Sequence, residues 1–519
     1  MKKLRKYHKW PSLIVGLFIL LFCVSGIVMN HRPIFASLDF PRYLLPGNYH
    51  YKNWNLASVK GFQKISDDEM LIYGNTGIWK TDKDFKFFTD FNAGFPKGID
   101  HRKIFSIKLT TNGQLFAGTL FGLYQYDQSI QKWKHINLPD EDARVVKLIE
   151  KDNKLFILSR SDLWTMDLYK KQGIETIIIP APSDYKGKAG LFRTMWVIHS
   201  GEIFGLVGKI VVDVVALAVI FMTLTGFFYT FLPKFAKKIQ EKNRKRLQKL
   251  NRTTINWHTL IGVYGIPVLI ITVVTGMFLR PPLLIPIAGK QVTAIPGTVL
   301  ASENVWHDKL RDIIYDTTGQ QFYLSTSEGF FAIRTDGLKY STNDIQVQPP
   351  VSVMGINVLE DLGNGHFLVG SFSGLFEWTP SQNLVTDAIT GQQITSYSQG
   401  NPFGSVAVAG VYMDNNKPAG ILNYDSGWMS FGPYNSPEMP EVIKEQPISW
   451  WNLALEVHTG RIFEFIFGMF YILYVPLMGI LVLLIIITGF LMYWKSKKKK
   501  TKAKKHGNTQ LAGSTKGSF

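Results

Sequence analysis

VIHSGEIF, residues 197–204, stands ahead of a long apolar run, and EVHTGRIF, residues 456–463, stands ahead of another. Each stretch sets a histidine (His199, His458), a small hydroxyl, a glycine and an Ile-Phe pair at the mouth of a hydrophobic segment. Four apolar runs are long enough for a ~30 Å hydrocarbon core, which takes roughly 20 helical residues. They are Pro11–Met29, Phe204–Leu232, Thr259–Leu279 and Phe465–Trp494. The first is not followed by an A-x-A-like cleavage site and reads as a retained helix rather than a signal peptide.

The net charge of +18 would suit a nucleic-acid partner, but its placement argues against one. Lys2 to Lys9, Lys234 to Arg252 and Lys495 to Lys516 together carry +22, so the rest of the chain is slightly acidic. All three segments fall on one side of a four-helix topology, the positive-inside pattern. The expected division is a cytoplasmic N-terminus over 1–10 and membrane helices over 11–29, 199–232, 258–279 and 456–494. Large outer regions take up 30–198 and 280–455, with a basic loop over 233–257 and a basic tail over 495–519. The single cysteine, Cys23, excludes a disulfide and any C-x-x-C-H haem attachment.

Both outer regions repeat a motif of short strands and aromatics, at Gly77, Gly122 and Asp162 and again at Gly329, Gly374 and Gly420. Spacings of 45, 40, 45 and 46 fit four-stranded propeller blades. Three blades alone would leave open edges, so the expected fold is mixed: four transmembrane helices in two pseudo-twofold-related halves, plus one six-bladed β-propeller split between two insertions. Two smaller β domains are the alternative. The repeats resemble the propeller blades of bacterial two-component sensor proteins.

The membrane part is duplicated. His8 precedes Ser25-Gly26 by the same offset that separates His258 from Thr275-Gly276. His199 likewise precedes Thr225-Gly226, and His458 precedes Thr488-Gly489. Those two offsets differ by four, about one helical turn, so the relative face is kept. A pseudo-twofold axis along the membrane normal would set His8 opposite His258 and His199 opposite His458. Facing imidazoles suit the two axial positions of a haem iron. Gly16, Gly262 and Gly265, or Gly201, Gly205 and Gly208, would let a flat macrocycle lie between helices. His31 is a fifth candidate, as ligand, proton shuttle or propionate contact with Arg32. Lys209 and Asp213, four apart, read as an ion pair.

These helices, with HKW…SG, HSGEIFGLVGK…TG, WHTL…TG and HTGRIF…TG, resemble the PepSY-associated transmembrane proteins. That family includes ferric-siderophore reductases of the bacterial inner membrane, which carry b-type haem. The resemblance implies electron transfer across the membrane to a periplasmic ferric substrate, with both termini cytoplasmic and these histidines as ligands. No G-x-G-x-x-G follows a strand pattern, so no NAD or flavin site is expected and the electron donor is quinol or a separate reductase. A haem-free, membrane-anchored sensor or scaffold, whose propeller binds a ligand or protein, is the alternative. Continuous helices would put His199 and His458 near the outer interface, about 40–50 Å above His8 and His258, with His31 at intermediate height. Pro476 is the expected kink in the last helix.

Overall fold

The computed structural model describes residues 2–170, 173–182, 185–236, 241–336, 339–350, 355–394, 404–431 and 435–514. Lys237, Lys238 and Lys516 of the basic runs lie outside them. The chain divides into two compact units, one of 1–32, 187–301 and 451–519, the other of 33–186 and 302–450.

The first unit is helical: α1 (Lys2–Asn30), α2 (Leu191–Ser200), α3 (Gly205–Ala236), α4 (Glu241–Tyr264), α5 (Ile266–Phe278) and α7 (Tyr474–Ser514), with α6 (Trp450–His458) entering it from residue 451 onward. Among the described residues, three stretches are long and apolar enough to cross a membrane: Lys2–Asn30, Glu202–Leu232 and Arg461–Lys499. Their outer faces leave large side chains such as Leu206, Val207 and Leu477 exposed. Such a surface suits lipid, where backbone polar groups must be satisfied within the helix.

The expected helix over 258–279 is broken: α4 and α5 meet at 65°. Gly265 caps α5 and Pro267 stands in its first turn, where a residue without an N–H does least harm. The expected helices over 199–232 and 456–494 are also interrupted, directly after their histidines. Gly201 (φ +79°) and Gly460 (φ +76°) take the left-handed conformation that ends a helix, and a 3-10 turn follows each. Glycine therefore breaks the last helix, whereas Pro476 lies in the first turn of α7, where it needs no kink. The four-residue length difference between the copies is the short helical turn Glu464–Phe467.

The second unit is built of antiparallel meanders. Among the described residues there are five four-stranded sheets, spanning 61–90, 104–136, 145–177, 310–344 and 358–387, and a three-stranded sheet over 408–430. Their first strands are β1 (Gly61–Lys64), β2 (Ile104–Leu109), β3 (Val145–Lys151), β4 (Leu310–Asp316), β5 (Val358–Gly363) and β6 (Val408–Asp414). Each touches the next, and β6 touches β1.

Among the described residues, six apolar clusters fill the gaps between neighbouring sheets. Phe156, Leu158, Leu310 and Phe322 join the third sheet to the fourth, across the long helical insertion in the sequence. Ile72, Trp79, Leu422 and Trp428 join the last sheet to the first. The two outer regions are thus one body. Gly77, Gly122, Gly329 and Gly374 each open the third strand of a sheet at positive φ, as the repeat implied. Gly420 does not: it lies inside a second strand, and Gly427 (φ +84°) opens the third.

Candidate functional site

The helical unit brings the four repeat-matched histidines together in two pairs. His199, near the end of α2, and His458, the last residue of α6, have ring centroids 6.0 Å apart and an interplanar angle of 63°. His8 of α1 and His258 of α4 lie 6.3 Å apart at 83°.

Every imidazole is seated on a hydroxyl-glycine step of another helix. His458 Nδ1 lies 2.9 Å from Ser25 Oγ and 3.1 Å from the Phe22 carbonyl. His258 Nδ1 lies 3.1 Å from Thr225 Oγ1. The remaining two lean on backbone, His199 Nδ1 on the Thr272 carbonyl at 2.8 Å and His8 Nδ1 on the Ile485 carbonyl at 3.0 Å, with Thr488 Oγ1 3.4 Å from His8. The glycine after each hydroxyl faces the ring: a Cβ on Gly276 would stand 2.7 Å from His199 Cε1. Corresponding distances are 3.1 Å for Gly489 and His8, 3.5 Å for Gly26 and His458, and 3.7 Å for Gly226 and His258.

This seating assigns the tautomer. Ser25, Thr225, Thr275 and Thr488 are buried, and each donates its hydroxyl proton to the carbonyl four residues back, at 2.6–2.9 Å. Toward an imidazole, such a hydroxyl acts as acceptor. The carbonyls only accept. Nδ1 is therefore the N–H donor in all four rings, and Nε2 keeps its lone pair. No protein group hydrogen-bonds any of these Nε2 atoms among the described residues.

Helix breaks also reset the heights. Because α2 and α6 turn back at their glycines, His458 sits beside Phe22 and Ser25, in the upper half of α1, while His8 lies near its start. The rise along α1 between these levels is about 21–26 Å, half of the roughly 40–50 Å expected for unbroken helices. His31 is not at intermediate height. It follows Ser25 by more than a helical turn, beyond the His199–His458 pair, and no other histidine faces it among the described residues.

The Nε2 of His31 meets Asp213 Oδ2 at 2.5 Å. Asn30 Nδ2 donates to Asp213 Oδ1 and to the Ser200 carbonyl, both at 3.2 Å. The expected Lys209–Asp213 ion pair is replaced by this cluster. Arg32 lies over the Trp451 ring, 3.8 Å from its centroid.

Five of the six glycines expected to admit a macrocycle serve packing: a Cβ on Gly16 would strike Phe227, one on Gly262 would touch Met222, and one on Gly265 would approach its own helix at Ile261 O. Gly201 and Gly208 abut one another; only Gly205 faces open space.

One element of the site is marked in the duplication only through Phe463. Phe18, Phe22, Phe463 and Tyr474 form an aromatic cluster, with Phe22 5.3 Å from both His458 and Tyr474. Tyr474 is buried and its hydroxyl has no hydrogen-bond partner among the described residues.

A family model described as the PepSY-associated TM region matches residues 5–496. No match is found among curated proteins. Among solved structures, the chain is similar to an extracellular domain assigned to a one-component system of B. thetaiotaomicron, at 15% identity and TM-score 0.33, over 75% of this chain and 40% of that one. It is also similar to the GH74 xyloglucanase of Xanthomonas campestris, at 9% identity and TM-score 0.34, over 73% of this chain and 46% of that one.

Proposed function

The chain belongs to the PepSY-associated transmembrane family, and on that footing we propose that it is a b-type haem protein of the bacterial inner membrane, carrying electrons outward to a periplasmic ferric (siderophore) substrate. The observation that carries this reading is the spacing of the paired rings. Two metal–imidazole bonds of about 2.0 Å, plus about 1.1 Å from each ring centre to its nitrogen, span about 6.2 Å. The pairs measure 6.3 and 6.0 Å. The free Nε2 lone pairs are the donors such a site needs, and the Nδ1–H···O bonds fix the rings as the hydrogen-bond partners of metal-bound imidazoles do.

Haem held by His8 with His258, and by His199 with His458, would supply a one-electron couple at each of two heights. The chain's own contribution is to hold these imidazoles neutral, to lock their orientation on the hydroxyl-glycine steps, and to exclude water with the Phe18, Phe22, Phe463 and Tyr474 cluster. The orphaned Tyr474 hydroxyl fits a site whose occupant brings a hydrogen-bond acceptor.

In this reading four spans cross the membrane, α4 and α5 together making one. The basic segments mark the cytoplasmic side, which holds both termini. The six sheets form a six-bladed propeller outside. Quinol or a separate reductase supplies the electrons.

The test is the absorption spectrum of the full-length protein, purified in detergent after expression with ample haem, with a pyridine haemochrome assay. We expect a Soret band and two spectral components, one lost in both His199→Ala and His458→Ala, the other in both His8→Ala and His258→Ala. A colourless protein would overturn the reading and favour a haem-free sensor or scaffold. Loss of different components within a pair would overturn the pairing.

A further inference from the structure

The sheet unit encloses a cavity of about 460 Å³ whose wall takes side chains from all six first strands or the residues flanking them. Its charge is not spread evenly. At the end where these strands begin stand Lys60, Arg144, Arg160 and Arg311. Lys60 Nζ and the Arg144 guanidinium lie 4.7 and 4.1 Å from the Phe105 ring centroid. Arg311 donates to the Asp308 and Leu310 carbonyls, each at 2.9 Å. Ring faces and carbonyls help to hold these cations at the mouth. Arg160 pairs with the Asp308 carboxylate at 2.9 Å.

One level further in, Lys147 is matched by Asp312 at 3.4 Å and Glu360 at 3.8 Å. At the far end Lys64 and Lys83 are matched by Asp67 and Asp68. The lining carboxylates Asp67, Glu69, Asp312, Glu360 and Asp414 all come from the deeper and far levels. By count of its lining charges, the cavity is thus basic at one mouth and acidic over the rest of its wall. A concave wall of one sign focuses its field on whatever enters, and guanidinium forks match carboxylate geometry in pairs.

We propose that this mouth is a binding site for a polyanionic small molecule. Resting on the haem reading, this makes the ferric substrate an anionic chelate, of carboxylate or catecholate type, rather than a ferric hydroxamate without negative charge.

The experiment titrates the full-length protein in detergent with ferric citrate, a ferric tris-catecholate and a cationic ferric trihydroxamate, by calorimetry at low and high salt. We expect the anionic chelates to bind at least tenfold more tightly than the trihydroxamate, with affinity falling as salt rises. Arg144→Gln and Arg311→Gln should each weaken that binding by tenfold or more, with haem absorption unchanged. Lys60→Gln, at the rim, provides a milder variant if either arginine change unfolds the unit. Equal affinity for all three chelates, or affinity indifferent to these substitutions, would overturn the proposal. Haem without chelate binding would sink this inference and leave the haem reading standing. Anion binding at this mouth in a haem-free protein would do the reverse.

Discussion

Gly276 lies so close to His199 that a Cβ on it would stand 2.7 Å from the imidazole Cε1, while the same addition at Gly226 would meet His258 Cε1 at 3.7 Å. The first is a clash and the second ordinary contact. Gly276→Ala must therefore displace the His199 ring or the α5 backbone, an overpacking cost of typically about 1–3 kcal/mol. The expected outcome is loss or marked broadening of the outer spectral component in Gly276→Ala, and a near wild-type spectrum in Gly226→Ala.

The seats differ in whether a side chain also accepts the Nδ1 proton. For His258 the Thr225 hydroxyl supplements the Met222 carbonyl, while for His199 the acceptor is the Thr272 carbonyl. Thr225→Val keeps the shape and removes the side-chain acceptor. It should weaken haem retention at the His8–His258 pair by about tenfold, the low end for losing such a partner. Thr272→Val leaves the backbone acceptor in place and should change little. Haem transfer to apomyoglobin would measure both.

Tyr474 buries a hydroxyl that no described residue satisfies, where a phenyl ring would fill the same space. An unsatisfied buried hydroxyl costs about 1–3 kcal/mol. In protein expressed without haem, Tyr474→Phe should raise the melting temperature by a few degrees. That gain should shrink or reverse in haem-loaded protein, since the occupant then provides the acceptor. Scanning fluorimetry on both forms decides the point; an equal gain in each would show that the hydroxyl serves neither.

Burial pushes the Asp312 carboxyl up to about 6, against the pull of Lys147. A carboxyl raised in the fold adds stability below its unfolded value of 3.8, and that contribution is lost as pH rises through about 6. Asp312→Asn lacks this dependence. The melting-temperature advantage of wild type over Asp312→Asn should therefore fall by several degrees between pH 4 and pH 7. A constant difference would refute the assignment.

The duplication makes the four histidines legible, because offsets that are equal in one pair and one helical turn apart in the other mark corresponding places on helices that otherwise share little. The same offsets flagged the hydroxyl-glycine steps without saying which ring sits on which step, since that depends on how helices from different parts of the chain pack. The heights expected for continuous helices fail for a local reason. Gly201 and Gly460 end their helices, and a glycine straight after a helix-terminal His-Ser or His-Thr is a stop signal available in the sequence.

In the sheets, five of six repeat marks fell on or beside a turn. Gly420 was a false match, because Ala-Gly-Ile-Leu imitates the opening of a third strand while Ser426-Gly427 makes the actual turn. Tyr474 had no repeat to announce it. At the offset from Thr225 that Tyr474 has from Thr488, the other copy carries Val211.

The seats also record who depends on whom. Ser25-Gly26 in the first copy of the duplicated unit holds His458 of the second, and Thr275-Gly276 in the second holds His199 of the first. Thr225-Gly226 and Thr488-Gly489 hold His258 and His8 in the same crossed manner. No copy seats its own histidines. A chain carrying one copy would complete a seat only by meeting its twin across a twofold axis, as an isologous dimer with both centres at the interface. Fusion of two copies turns that concentration-dependent encounter into a folding step.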